Sequence, residues 1–161
     1  MAEQQAKVKT VASSRSEVDH FVRSTHINGM GRLFGGCLLQ WIDEIAGTVA
    51  RRHSEHMCTT AAIDHLDFKD AVLKGSLVVC VGRLTWVGHT SMEIRVDSYV
   101  ENLDGSRKLI NVAYLVYVAL DENQRPAPVP PLTLTTDEER QEWENAVRRN
   151  ALRKERRKEG Y

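Results

Sequence analysis

The stretch from Phe34 to Arg52 constrains the fold more than any other part of the sequence, because it has the pattern of one long apolar helix. Its apolar side chains recur at steps of three or four, as on one helix face: Leu38, Ile42, Ile45 and Val49. Two adjacent carboxylates, Asp43 and Glu44, lie in the middle of this stretch. Burying a carboxylate is costly unless the group is paired. The sequence therefore predicts that this acidic pair either has partners or takes part in function.

Composition limits the class of protein. The chain has 161 residues, enough for one domain, and its 22 acidic and 22 basic residues balance. This balance argues against a nucleic-acid-binding surface over the whole protein. Cys37, Cys58 and Cys80 lie far apart without metal-ligand spacing, and no apolar run approaches the ~18 residues of a membrane span. The N-terminus lacks a hydrophobic signal segment, so we expect a soluble cytoplasmic protein with no metal, no nucleic-acid partner and no membrane contact.

The rest of the chain divides into three parts: a flexible N-terminus over 1–14, a folded domain over 15–125, and a proline-containing linker with a charged helix over 126–161. Alternating or β-branched residues predict five strands: Ser16 to Val22, Thr59 to Phe68, Ser76 to Val87, Ser91 to Glu101 and Arg107 to Asp121. Gly82 suggests a bulge or a bend in the third strand. The fourth strand alternates cleanly, which predicts one face in the core and one in water.

Consecutive strands joined by short turns predict an antiparallel sheet, and the single apolar helix is the available cover for it. The helix is apolar around too much of its surface for one sheet face. We therefore expect an α+β fold, a sheet wrapped around a central helix, in a homodimer at least. The C-terminal helix is predicted from Asp137 to Arg157, after a cap at Thr136. Its basic end is either a frayed, solvated tail or a patch near phosphates or an acidic partner.

Several motifs in order along the chain carry a family resemblance: Asn28, Gly31 and Phe34-Gly35-Gly36, then Trp41 to Gly47, Asp67-Phe68, Val87 to Ile94 and Pro128 to Pro130. Over residues 15–145 the chain resembles the hotdog-fold acyl-CoA thioesterases, in particular the cytosolic acyl-CoA hydrolase group. The resemblance implies a hotdog fold, hydrolysis of acyl-CoA to fatty acid and coenzyme A, and a hexamer built as a trimer of dimers. Many hotdog thioesterases carry His at the position of Phe34, so we expect no catalytic imidazole there.

Asp43 is the candidate catalytic carboxylate. A serine triad is not indicated, because the chain has no Gly-x-Ser-x-Gly motif. Helix position alone allows Asp43 to face a polar dimer seam or cap a local group, whereas the resemblance implies a general base or a nucleophile. Glu44 points about 100° away around the helix and is expected to be structural, paired with Arg or Lys. Asn28 is either a turn former or, as the resemblance implies, a residue that positions water or thioester from the opposite subunit.

Gly35 and Gly36 are placed to offer backbone N–H groups at the positive end of the helix, which is a plausible oxyanion site. Gly36 is the preferred catalytic donor and Gly35 a substrate contact. Helix geometry places Asp43 about 10 Å from Gly36 along the axis. A site shared between subunits is therefore more consistent with the spacing than a site within one subunit.

Coenzyme A brings phosphates, and the candidates to bind them are Arg83, Gly88, His89, Thr90, Ser91, Arg107, Lys108 and the basic C-terminal end. No cofactor beyond coenzyme A as a substrate moiety is expected. A non-catalytic acyl-CoA sensor on the same fold is the alternative function. A hydroxyacyl-CoA dehydratase is less favoured, because such enzymes generally pair the acid with His. Leu33, Leu38 and Trp41 are candidates to set acyl length, which the sequence leaves open.

Overall fold

The structure is a computed structural model that describes residues 8–161. Its helices and strands are, in chain order, α1 (Val11–Ser14), β1 (Ser16–Phe21), α2 (Gly35–Ser54), β2 (Met57–Asp64), β3 (Leu77–Val87), β4 (Ser91–Glu101), β5 (Arg107–Leu120) and α3 (Asp137–Glu159), with one turn of 3-10 helix at Ser24–His26. Of the N-terminus predicted to be flexible, residues 1–7 lie outside the described part. Residues 11–14 instead form a short helix, because Thr10 caps it and Val11 is buried.

The five strands form one antiparallel sheet in the order β1-β3-β4-β5-β2, and α2 contacts every strand of it. The predicted α+β architecture, with a sheet around a central helix and an added C-terminal helix, is confirmed. Strand β2 ends at Asp64 and not at Phe68, because His65 adopts a positive φ of 57° that breaks the extended backbone. Within the described residues no helix combines the length and apolarity needed to span a membrane.

The core forms where the apolar face of α2 meets the inner face of the sheet, and Ile42 and Val49 are fully buried there. Gly82 does not mark a bulge, since it pairs regularly with Val96 and the irregularity in β3 lies between Leu84 and Trp86. A Cβ atom on Gly82 would lie 3.1 Å from Cγ2 of Val49. This glycine therefore lets the helix approach the sheet closely.

The outer face of β4 is covered, so the prediction that it faces water is wrong. Glu93 and Asp97 lie on this face, and both are buried. Helix α3 crosses the face and supplies Arg149 and Arg153, which bind Glu93. Charged residues can alternate with apolar ones in a buried strand when another element brings opposite charges to them. The basic end of α3 is thus helical, and two of its arginines form ion pairs with carboxylates of the sheet.

His53, in the last turn of α2, fixes the proline-containing linker. Its ring is fully buried, and Nε2 lies 2.8 Å from the carbonyl oxygen of Pro130, which makes Nε2 the donor. Nδ1 has no hydrogen-bond partner within the described part of the chain. Burial lowers the pKa of His53, against a smaller opposing effect of the Pro130 hydrogen bond. The linker is therefore held by a neutral imidazole.

We expect His53 to make the protein less stable in acid. Below its ordinary pKa of 6.5 the imidazole binds a proton in the unfolded chain but not in the folded one, so the free energy of unfolding falls as the pH drops below that value. His53→Gln keeps an amide donor but cannot titrate. Urea denaturation from pH 7.5 to 5 should show a smaller loss of stability for His53→Gln than for wild type. An exposed control, His89→Gln, should keep the wild-type slope, and an identical slope for all three proteins would contradict the prediction.

Candidate active site

Asp43 lies in the middle of α2 and is held by two hydroxyl groups. Thr60 donates a hydrogen bond to Oδ1 at 2.9 Å, and Tyr117 donates to the same oxygen at 2.6 Å. The Tyr117 hydroxyl also lies 2.7 Å from the backbone carbonyl of Asp43. The other carboxylate oxygen, Oδ2, makes no hydrogen bond to a described residue. Asp43 is thus a partly buried carboxylate with one oxygen fixed and one oxygen open.

The sheet brings Thr60 and Tyr117 together. They are opposite each other in the register of β2 and β5, and both side chains face α2. Burial raises the pKa of the Tyr117 phenol, and its hydrogen bond to Asp43 raises it further, so the phenol stays a proton donor. The phenol packs directly beside Gly47, where a Cβ atom would lie at ordinary contact distance, 3.4 Å, from the Tyr117 hydroxyl. Sequence reasoning missed Thr60 and Tyr117; the available signal was a tyrosine on the core-facing side of a strand, where its hydroxyl needs a partner.

Glu44 has a different environment from its neighbour. It is exposed, and Oε1 accepts a hydrogen bond from the side-chain amide of Gln40 at 2.9 Å. The expected Arg or Lys partner is therefore replaced by an amide one helical turn earlier. Of the two adjacent carboxylates, only Asp43 combines partial burial with hydroxyl donors from the sheet.

Asn28 organises the loop that leads into α2. Its Oδ1 accepts hydrogen bonds from the backbone N–H groups of Met30 at 2.9 Å and Arg32 at 3.1 Å. This is a turn-forming contact, and it leaves the Nδ2 donors available. Asn28 also lines a pocket of about 290 Å³ together with Gly35 and Leu38. Both functions considered for Asn28 are thus compatible with its geometry.

Of the three residues considered for setting acyl length, two line the same pocket and one does not. Leu33 and Leu38 line it. Trp41 does not, because its ring is stacked on His20 at 4.3 Å and meets the edge of His26 at 5.1 Å. Trp41 is therefore part of an aromatic cluster beneath β1 and the entry loop.

Gly35 and Gly36 form the first turn of α2, where the leading N–H groups have no partner inside the helix. The ring of Phe68 lies against Gly35, since a Cβ atom there would be 3.2 Å from Cζ. No hydrogen bond among the described residues joins Asp43 to Gly36 or Asn28. Within one protomer, the N-terminus of α2 and the Asp43 carboxylate are thus two separate sites.

The candidate phosphate-binding residues do not form one cluster within a protomer. The turn of Gly88 to Ser91 and residue Arg107 lie at opposite ends of β4, about 33 Å apart along the strand. Arg107 is paired with Glu17 at 2.6 Å and with Glu101 at 2.8 Å.

The remaining candidates are also engaged locally. Arg83 binds Asp97 at 2.8 Å on the outer face of the sheet, and Lys108 lies 3.1 Å from Asp70. In the turn, the carbonyl oxygens of His89 and Thr90 accept hydrogen bonds from the backbone at Val129 and Ala119. The turn is therefore fixed by its carbonyls, whereas the His89 side chain is exposed.

Cysteine chemistry and metal binding receive no support from the geometry. Burial raises the pKa of Cys80 to about 11 and also raises the pKa values of Cys37 and Cys58, so each thiol is protonated near neutral pH. Among residues 8–161, no three His, Cys, Asp or Glu side chains are grouped to hold a metal ion. The carboxylate of Asp43 is the group best placed to act on a substrate.

Comparisons with known proteins show the family of this chain. The sequence profile of the thioesterase superfamily matches residues 30–104. An acyl-CoA thioester hydrolase of Bacillus subtilis, itself described as uncharacterized, is 39% identical over 81% of this chain and 77% of its own length. The cytosolic acyl coenzyme A thioester hydrolase of Rattus norvegicus is 34% identical, and the chain spans 36% of its length.

Two solved structures extend the agreement to the whole fold. The acyl-CoA hydrolase of Staphylococcus aureus, solved with butyryl coenzyme A and coenzyme A, superposes with a TM-score of 0.89 at 30% identity, covering 95% of this chain and 94% of that one. A hexameric acyl-CoA thioesterase superposes with a TM-score of 0.88 at 37% identity, covering 94% and 97%. The chain therefore belongs to the hotdog-fold acyl-CoA thioester hydrolases of the thioesterase superfamily.

Proposed function

We propose that this protein hydrolyses acyl-CoA thioesters to a free fatty acid and coenzyme A. The observation that carries the proposal is the Asp43 carboxylate, which has Oδ1 fixed by Thr60 and Tyr117 and Oδ2 open. Family membership supports the reaction type. The Staphylococcus aureus enzyme has also been solved with an asparagine, an aspartate or a threonine replaced by alanine, the residue types of Asn28, Asp43 and Thr60.

In the proposed reaction, Asp43 directs attack on the thioester carbonyl carbon. As a general base it takes a proton from water while the water oxygen bonds to carbon; as a nucleophile its open oxygen bonds to carbon and water then hydrolyses the acyl-enzyme. The C–S bond breaks; in the general-base route Asp43 passes the water proton to the leaving sulfur, and in the nucleophilic route the sulfur leaves as a thiolate that takes its proton from water. The backbone N–H of Gly36, at the positive end of α2, stabilises the carbonyl oxygen as it becomes negative.

The proposed site is completed by a second copy of the chain, so the smallest active unit is a homodimer. The separation of Asp43 from Gly36, about 10 Å along the helix, supports this arrangement. Asn28, Gly35 and Gly36 would come from one subunit and Asp43 from the other. Strand β2 is an edge strand with Met57 and Ile63 exposed, which favours a protein partner at this edge. The similar hexameric thioesterase supports a hexamer built as a trimer of dimers.

The contacts with coenzyme A are also assigned as proposals. We assign them to Gly35, Arg83, the turn of Gly88 to Ser91, Arg107 and Lys108. Because these residues are spread along the sheet, the assignment requires contributions from more than one subunit. The names of the cytosolic mammalian relatives support a cytoplasmic location.

The function is tested by measuring free thiol release from a panel of acyl-CoAs, from acetyl to palmitoyl, with purified protein. We expect turnover that saturates with substrate and a preference for a limited range of chain lengths. Calorimetry on the same panel separates the alternative, because a sensor would bind acyl-CoA without releasing thiol. Absence of both binding and turnover would overturn the proposal.

A further inference from the structure

Strand β2 presents two functional side chains to opposite faces of the sheet. Thr60 pairs with Tyr117 and faces α2, where it binds Asp43. Asp64 pairs with Tyr114 and faces α3, where it binds Arg153. Residues four apart in a regular strand lie on the same face, because side chains alternate with a period of two. An irregularity must therefore separate Thr60 from Asp64.

That irregularity is a β-bulge at Ala61. The register of β2 against β5 passes from Thr60–Tyr117 directly to Ala62–Val116, so Ala61 has no partner of its own. One extra residue reverses the faces beyond it. With the bulge in place, Thr60 faces the central helix and Asp64 faces the C-terminal helix. Without the bulge, the period of two would place both side chains on one face of the sheet.

Asp64 is anchored from the far side of the sheet by a buried charge cluster. Arg153 is 6% exposed and binds both Asp64 and Glu93. Glu93 is itself fully buried and accepts hydrogen bonds from Thr85 at 2.6 Å and from Arg149 at 2.8 Å. Arg153 thus connects the bulged edge strand to the interior strands β3 and β4. Within one protomer, β2 has one neighbouring strand among the described residues, so this connection adds a second restraint, on its outer face.

We propose that Asp64 and Arg153 are positioning residues that fix β2 beyond the bulge and thereby hold the Thr60 hydroxyl against Asp43. This inference rests on the proposed function, because Asp43 is the carboxylate whose position matters. The route is short: about four residues of one strand separate the ion pair from Thr60, roughly 13 Å. The C-terminal helix therefore contributes to catalysis through the sheet.

The test is a double-mutant cycle between Asp64 and Thr60, with kcat and KM measured separately. Asp64→Asn removes the ion pair at nearly constant shape, and we expect kcat to fall by about tenfold with KM unchanged, in line with the sensitivity of catalysis to small displacements. In the Thr60→Val background the same replacement should change kcat less than twofold, because the hydroxyl that Asp64 positions is already absent. Asp64→Glu, which restores a carboxylate, should recover part of the activity.

Two further variants test the other partner of the ion pair and provide a control on α3. Arg153→Lys retains a positive charge but loses the guanidinium fork that reaches Asp64 through Nε and Glu93 through a terminal nitrogen, so it should show the same dependence on Thr60. Asp137→Asn removes an exposed ion pair of α3 with Arg140 and should keep wild-type kcat. Equal losses of kcat with and without Thr60, or wild-type kcat in Asp64→Asn, would overturn the inference. An active Asp43→Asn enzyme would instead overturn the catalytic role of Asp43, and absence of thiol release by the wild-type protein would overturn the proposed function.

Discussion

Replacement of Asp43 by Asn is expected to lower kcat for acyl-CoA hydrolysis by about 10³-fold, with little change in the melting temperature. The asparagine amide keeps an oxygen for the hydroxyls of Thr60 and Tyr117, so the local structure should persist. It cannot take a proton from water or attack a carbonyl carbon, and general-base catalysis contributes about 10²–10⁴-fold to rate. Stopped-flow or continuous thiol assays on a preferred acyl-CoA measure the loss directly.

Glu44→Gln is the matched control, since Glu44 is the adjacent carboxylate and is exposed. We expect it to retain kcat within about twofold, because its side chain is exposed and hydrogen-bonds only with Gln40 among the described residues. The affinity for coenzyme A, measured by calorimetry, should be similar in both variants. An Asp43→Asn protein with wild-type turnover, or a Glu44→Gln protein with the larger loss, would contradict the assignment.

The sequence predicted the elements whose pattern is local. The 3.6-residue period identified α2 to within two residues at its C-terminal end, and the alternation of Ser91 to Glu101 matched β4 at both ends. The Thr136 cap of α3 is also confirmed, with its hydroxyl accepting a hydrogen bond from Glu139 at 3.1 Å. These features depend on neighbours a few residues away in the chain, which a sequence displays directly.

The features that sequence reasoning missed depend on residues far apart in the chain. Alternation in β4 cannot distinguish an outer face in water from one covered by arginines, and Arg149 is 56 residues from Glu93. Similarly, the Thr60 and Tyr117 hydroxyls meet Asp43 only through the register of β2 on β5. Asp43 could be identified because a carboxylate is unusual in the middle of an apolar helix. Threonine is common in strands, so Thr60 gave no such signal.

The buried charge cluster beneath α3 gives the largest expected effect on stability. Glu93→Ala removes the acceptor shared by Arg149, Arg153 and Thr85 and leaves an arginine, Arg153, that is almost fully buried beside only one remaining carboxylate. Loss of one partner from a buried ion pair costs about 3–5 kcal/mol, because the remaining charge stays desolvated. We expect the melting temperature to fall by roughly 10 °C, measured by calorimetry or circular dichroism.

Glu101→Ala is the control for this loss, since Glu101 lies on the same strand and also pairs with an arginine. Its partner Arg107 is exposed and keeps Glu17 at 2.6 Å, so we expect a much smaller fall in melting temperature than for Glu93→Ala. High salt should weaken the exposed pair more than the buried one, because screening acts mainly through solvent. Equal destabilisation by the two substitutions would show that α3 is held by apolar contacts, such as that of Trp143 with Trp86, and not by the charges beneath it.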